Sequence, residues 1–252
     1  MPVQALGWPF AVAVRGDVSC GGPARIVVEW QPSDDLDRTL VDRVRCVGSW
    51  WLRLADDGGL GGLSIAPGSG AGRPADEHQP IEGLAVLTWE VAAVAVDPAA
   101  LTVLLNLLLA SELPLRGVLV SAAGVDGNVV IRPDSYPARW PRLPFPCQDL
   151  RPARDVAIEI TFSGDLPPEH REPIDETLKV WALVGGLGGF REPVATSAIS
   201  DLIPEDEPGV DFDLLTFTVR DRGVNEVAWD VLVNLLVAVA TRRLAIANVE
   251  IG

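Results

Sequence analysis

The stretch Leu87 to Ala110 recurs without a gap as Leu215 to Ala238, and this duplication constrains the fold more than any other feature of the chain. Leu87, Thr88, Val91, Val96, Ala100, Val103, Leu104, Asn106, Leu107, Leu108 and Ala110 match Leu215, Thr216, Val219, Val224, Ala228, Val231, Leu232, Asn234, Leu235, Leu236 and Ala238. Repetition over such a span means that one supersecondary unit has been used twice. A chain of 252 residues is comfortable for two cores of ordinary domain size.

The pattern within each copy gives the order of elements. Arg25 to Trp30 alternates as a strand, and Pro32-Ser33-Asp34-Asp35 caps a helix carrying Leu36, Leu40, Val44, Val47 and Trp51 on one stripe. Asp57-Gly58-Gly59-Leu60-Gly61-Gly62 ends that helix. Leu63 to Ala66 is a short strand, Leu84 to Val91 a longer one, Asp97-Pro98 opens a helix to about Leu113, and Leu115 to Ser121 closes the unit. The order β-α-β-β-α-β is the ferredoxin-like pattern, which predicts an α+β protein with two four-stranded antiparallel sheets, each with its helices on one face. The first copy spans 1–122 with its core at 24–121, and Phe10 to Arg15 is a candidate extra edge strand. Residues 123–152, rich in proline, form the linker, and 153–252 the second copy. In that copy Val156 to Phe162 is the first strand and Pro173 opens the first helix. Val194 to Ile199 is a strand and Asp201 to Asp213 an acidic loop. Leu214 to Val219, Glu226 to Thr241 and Leu244 to Ile251 complete it. Glu159 answers Glu29, and Gly185 to Phe190 repeats Gly58 to Leu63.

Composition narrows the classes of function. A formal net charge of −15 opposes binding to nucleic acid, because counterion release needs clustered positive charge. Such a surface suits a basic partner. No apolar run reaches the length of a membrane span. The amino-terminal stretch lacks the look of a secretory signal, and Cys20, Cys46 and Cys147 are odd in number and widely spaced, so a reducing cytoplasm and partly buried free thiols are expected. Lys179 is the sole lysine among 20 basic residues, a bias that points to a GC-rich bacterial genome.

Three features are candidates for a site. The doubled glycine motif follows a helix and precedes a strand, which is the wrong polarity for cradling phosphate, so it reads as a helix C-cap that also allows close backbone approach. The second helix of each copy is apolar nearly all round, with Thr102 and Asn106 in one and Asp230 and Asn234 in the other as the polar stripe. Helices 99–112 and 226–241 are therefore expected to pack copy against copy or against a second chain. Strand alternation then places Glu29, Thr88 and Glu90, and Glu159, Thr161, Thr216, Thr218 and Arg220, on the outer sheet faces. These line a polar cavity if the sheets face each other, and are a solvated surface otherwise.

The remaining chemistry-bearing residues form no recognised constellation. His78 and His170 lack metal-ligand spacing, the Asp201 to Asp213 segment lacks that of a calcium loop, and no cofactor or metal is expected. A non-catalytic module that binds a protein partner is the first functional expectation, using Trp50, Trp51, Asp201, Glu205, Asp206 and Glu207. It resembles immunity proteins in composition alone. The alternatives are a small-ligand binder or enzyme using the sheet faces, and an architectural subunit of a homo-oligomer.

Overall fold

The computed structural model describes residues 8–16, 22–30, 38–61, 74–75, 85–93, 98–112, 114–122, 139–150, 155–190, 202–204, 209–221 and 226–252. The first half runs β1 (Ala11–Arg15), β2 (Gly22–Trp30), α1 (Arg38–Asp56), β3 (Pro74–Ala75), β4 (Ala85–Ala93), α2 (Pro98–Ala110) and β5 (Leu115–Ala122). The second runs β6 (Cys147–Asp149), β7 (Asp155–Phe162), α3 (Pro168–Gly186), β8 (Leu202–Pro204), β9 (Gly209–Asp211), β10 (Leu214–Asp221), α4 (Glu226–Arg242) and β11 (Ile246–Ile251). The protein is of the α+β class.

Alternation along the strands gives each sheet one apolar face. In β2, Ala24, Ile26, Val28 and Trp30 are buried while Arg25 is exposed. In β7, Val156, Ile158, Ile160 and Phe162 do the same. The strand order is β1-β5-β2-β4-β3 in one sheet and β6-β11-β7-β10-β8 in the other, with β9 also on β10. The helices cover the apolar faces, and the buried side chains of both halves merge into one continuous core. α2 is buried from Ala99 through Leu108, on every side of the helix.

The sheets are mixed, which corrects the expectation of purely antiparallel ones. β1 joins β5 in parallel and β6 joins β11 in parallel, while the inner pairings are antiparallel. The proline-rich stretch accordingly does more than link. Its end supplies β6 and the buried Phe145, in the place that β1 and the buried Phe10 occupy in the first half. Proline content concealed this because a three-residue edge strand bonds on one side only, and Pro146 contributes just its carbonyl, which accepts from Val249 N at 3.0 Å.

Pro173 lies inside α3 rather than at its start. Pro167 is extended, its carbonyl accepts the first helical bonds from His170 and Arg171, and Pro168 takes the first helical position. Pro173 then removes one bond in an early, exposed turn, which the helix tolerates. The acidic 201–213 segment contains β8 and β9, both antiparallel to β10, where a loop was expected. Residues 31–37, 62–66, 97 and 194–199, where caps and short strands were expected, lie outside the described residues, as do Cys20 and His78.

The two halves correspond through register, and the register revises two equivalences. Trp51 Nε1 donates to Ala100 O at 2.8 Å, and Trp181 Nε1 donates to Ala228 O at 2.7 Å. Both first helices then end in a Schellman motif. Gly58 N bonds to Ala55 O and Gly59 N to Leu54 O, as Gly188 N bonds to Gly185 O and Gly189 N to Val184 O. Gly58 and Gly188 have positive φ, +93° and +78°. Gly58-Gly59-Leu60 therefore corresponds to Gly188-Gly189-Phe190, three residues beyond the match suggested by the glycine letters. Likewise Thr88 lies opposite Val27 and Thr216 opposite Glu159, so Glu159 matches Val27, and Glu29 matches Thr161.

Candidate functional site

The outer sheet faces leave their polar residues dispersed. Thr216 and Glu250 flank Glu159 across neighbouring strands, and Asn248 lies opposite Thr161. Glu159 and Arg220 are exposed, Thr161, Thr216 and Thr218 half-exposed, and Arg220 Nε sits 3.3 Å from Asp155. In the other sheet Glu29 and Thr88 are half-buried, and the Glu90 side chain lies outside the described residues. The two halves meet through α1 and α3 and through the turns that end them. His170 is half-exposed at the start of α3, and no group of metal ligands occurs among the described residues.

The contact between the two halves includes two reciprocal hydrogen bonds. Asn106 Nδ2 on α2 donates to Gly189 O of the second copy, and Asn234 Nδ2 on α4 donates to Gly59 O of the first, each at 3.3 Å. Each Oδ1 accepts from the segment leading into its own sheet: Trp8 Nε1 at 3.1 Å for Asn106, and the Trp140 backbone N at 3.0 Å for Asn234. The glycines permit this proximity. A Cβ on Gly59 would stand 2.9 Å from Leu235 Cδ2, and one on Gly189 3.1 Å from Leu107 Cδ2.

The two flanks of this contact differ in chemistry. On one, Asp57 of the first copy reaches α3: Thr177 Oγ1 donates to Asp57 Oδ2 at 2.8 Å, Arg53 Nε pairs with the same oxygen at 2.8 Å, and Arg53 Nη2 with Glu176 Oε2 at 3.3 Å. Arg242 Nη1 donates to Asp56 O at 2.7 Å on the same side. Partial burial opposes the charge of Arg53, but the Asp57 hydrogen bond and the charges of Asp57, Glu176 and Asp56 outweigh it, and the guanidinium is held above its ordinary pKa.

On the other flank the corresponding residues are Leu183 for Arg53, Leu187 for Asp57, Val47 for Thr177 and Cys46 for Glu176, and no such bridge is available to them. A cavity of about 410 Å³ lies there, lined by Asp42, Arg43, Cys46, Val47 and Trp50 of α1, Leu107, Ala110 and Ser111 at the end of α2, and Leu187 of the second copy. Its surface is mainly carbon and sulfur. Ser111 Oγ is spent on Leu108 O at 2.6 Å, and Asp42 pairs with Arg45 at 3.2 Å. Arg43 stands at the rim, 4.0 Å from the exposed Glu112.

Of the expected partner residues, Trp50 lines this cavity, whereas Trp51 is 1% exposed and its indole is committed to Ala100. Asp201, Glu205, Asp206 and Glu207 lie outside the described residues. Cys46 is exposed rather than partly buried, because it falls on the cavity side of α1. The cavity was not visible in the sequence. Its one available signal, the replacement of Arg53 and Asp57 by Leu183 and Leu187, requires the corrected alignment of the glycine turns.

No family model matches the chain, and no curated protein matches it. Among solved structures, a protein of unknown function from Galdieria sulphuraria is 10% identical, with 92% of this chain and 98% of that one covered at a TM-score of 0.22. A conserved protein from Enterococcus faecalis V583 is 10% identical over 93% of this chain and 78% of its own, with a TM-score of 0.26. The periplasmic protease PqqL from Escherichia coli is 9% identical over 92% of this chain and 35% of its own, with a TM-score of 0.21. Likeness at this level carries no argument about fold or function.

Proposed function

We propose that the chain is a tandem pair of ferredoxin-like units, each with an added parallel edge strand, that acts as a non-catalytic binding module in a bacterial cytoplasm. Its ligand is a small molecule whose apolar body is held between α1, α2 and Leu187. The observation that carries this reading is the broken equivalence of the two flanks. One is bridged by Arg53, Asp57 and Thr177, and its counterpart holds a cavity whose volume falls in the range of about 300–1,000 Å³ usual for small-ligand sites. A gap that serves only packing gains nothing from staying open, because an unfilled apolar void forfeits contact energy. The free thiols Cys46 and Cys147 fit a reducing compartment.

The test uses the neutral apolar fluorophore N-phenyl-1-naphthylamine with the full chain. Saturable 1:1 binding is expected, lost when the closed flank is copied onto the open one by Leu183→Arg with Leu187→Asp, and lost when the space is filled by Ala110→Trp. Equal fluorescence from the native protein and from both folded variants rejects the reading.

A further inference from the structure

The cavity's polar groups restrict the ligand further, and this inference rests on the cavity being the binding site. Inside the apolar lining, the Ser111 hydroxyl proton is already donated to Leu108 O, so a polar body would be buried without a donor. At the rim the groups to account for are Asp42, Arg43, Arg45 and Glu112. Asp42 and Arg45 neutralise one another at 3.2 Å. Arg43 and Glu112 are separated by 4.0 Å, with side chains 57% and 80% exposed, a pairing that solvent weakens and that a better acceptor displaces. Arg43 is thus the one charge among the described lining residues not held in a close pair, in a protein whose net charge is −15. Its planar fork of donors matches a carboxylate or similar oxyanion.

We infer that the ligand is an amphipathic monoanion, its apolar body among Val47, Trp50, Leu107 and Leu187 and its anionic head on the Arg43 guanidinium. A chain or ring system of medium-length carboxylic acid type has this form. The net charge of −15 disfavours polyanions at long range, so a single charge on an apolar body is the combination the site selects.

The experiment titrates the full chain with dansyl-undecanoate and competes the probe with decanoate and with decanol. Decanoate is expected to compete about fivefold better than decanol, Arg43→Gln to abolish that preference while leaving decanol unchanged, and decanoate to slow alkylation of Cys46 by N-ethylmaleimide. Arg43 is exposed, so the variant is expected to fold, which far-ultraviolet circular dichroism checks. If decanol competes as well as decanoate and Arg43→Gln changes neither, the anionic head is overturned and the apolar cavity stands. If neither displaces the probe nor protects Cys46, the cavity reading falls with it.

Discussion

Asn106 and Asn234 carry out the same task from opposite halves of the molecule: each donates to the carbonyl of a glycine in the other half's helix-ending turn, and each accepts from the segment that leads into its own sheet. A buried amide with both ends committed fixes register as well as adding bonds, because sliding one copy against the other breaks both pairs at once. The near-complete burial of these two polar residues, 4% and 0% exposed, is compatible with an apolar helix only because their partners are in place.

Asn106→Ala strands the Gly189 carbonyl and the Trp8 indole N–H, and Asn234→Ala strands the Gly59 carbonyl and the Trp140 N–H. Each substitution is expected to lower the unfolding free energy by about 3 kcal/mol, from about 1–3 kcal/mol per orphaned group. Asn106→Asp, which keeps the acceptor and loses the donor, leaves a carboxylate facing the Gly189 carbonyl and is expected to be worse. Urea denaturation measures all three, and a loss below about 0.5 kcal/mol for either alanine variant contradicts the clamp.

The glycines of the turns are not interchangeable. Gly58 combines φ of +93° with a Cβ position 2.8 Å from Ala238 Cβ, an atom fixed to the backbone of α4. Gly58→Ala is therefore expected to cost about 3 kcal/mol, from left-handed strain of about 1–2 kcal/mol and overpacking of similar size. Gly59→Ala meets Leu235 Cδ2 and Cγ at 2.9 Å and Val231 Cγ1 at 3.2 Å, which overpacks the core without left-handed strain, and is expected to cost less. Gly164→Ala has open space and is the neutral control. Thermal unfolding of the three variants should rank them in that order, and equal midpoints for Gly58→Ala and Gly164→Ala would remove the close-approach account.

The inner strands and the four described helices are legible in the sequence, the strands and α1 because alternation and a helical stripe follow from burial on one face, and α2 and α4 because their apolar runs reach helical length. The edge strands are less so. β1 shows a weak alternation at Phe10 to Arg15, whereas β6, with only Cys147, Gln148 and Asp149, is too short for any period to register. The slipped equivalences have a physical cause as well. Identical letters, Gly-Gly-Leu-Gly-Gly, occupy different positions of the turn, and because Gly58, Gly61 and Gly188 all have positive φ, only the paired hydrogen bonds from Gly58 and Gly59, and from Gly188 and Gly189, back into their helices set the equivalence. The cavity inherits that difficulty, since Leu183 and Leu187 read as ordinary helix residues until set against Arg53 and Asp57.

Asp57 is the hinge of the closed flank, serving Arg53 and Thr177 with one oxygen. Asp57→Ala is expected to cost about 2 kcal/mol, less than for a fully buried pair because Arg53 retains Glu176 and water. Thr177→Val should cost about 1 kcal/mol. The pair should be non-additive by at least about 0.5 kcal/mol in a double-mutant cycle. Strict additivity shows that the 2.8 Å contact contributes nothing.

Cys46 and Cys147 should part in reactivity and in pH response. Burial pushes the Cys147 thiol above its ordinary value near 9.0; Arg139, whose Nη2 lies 3.3 Å from Sγ, pulls it back, and Asp149 adds to the rise. Because the folded state holds this proton more tightly than the unfolded chain, the contribution to stability is complete below about pH 9 and is lost as pH rises through the folded pKa. The unfolding free energy should thus fall between pH 8 and 10 more steeply in the native protein than in Cys147→Ser. At pH 8 the exposed Cys46 should react with N-ethylmaleimide well before Cys147, as read by mass spectrometry of the two peptides. Equal rates at the two sites, with equal pH slopes for protein and variant, rule out a buried, raised thiol on β6.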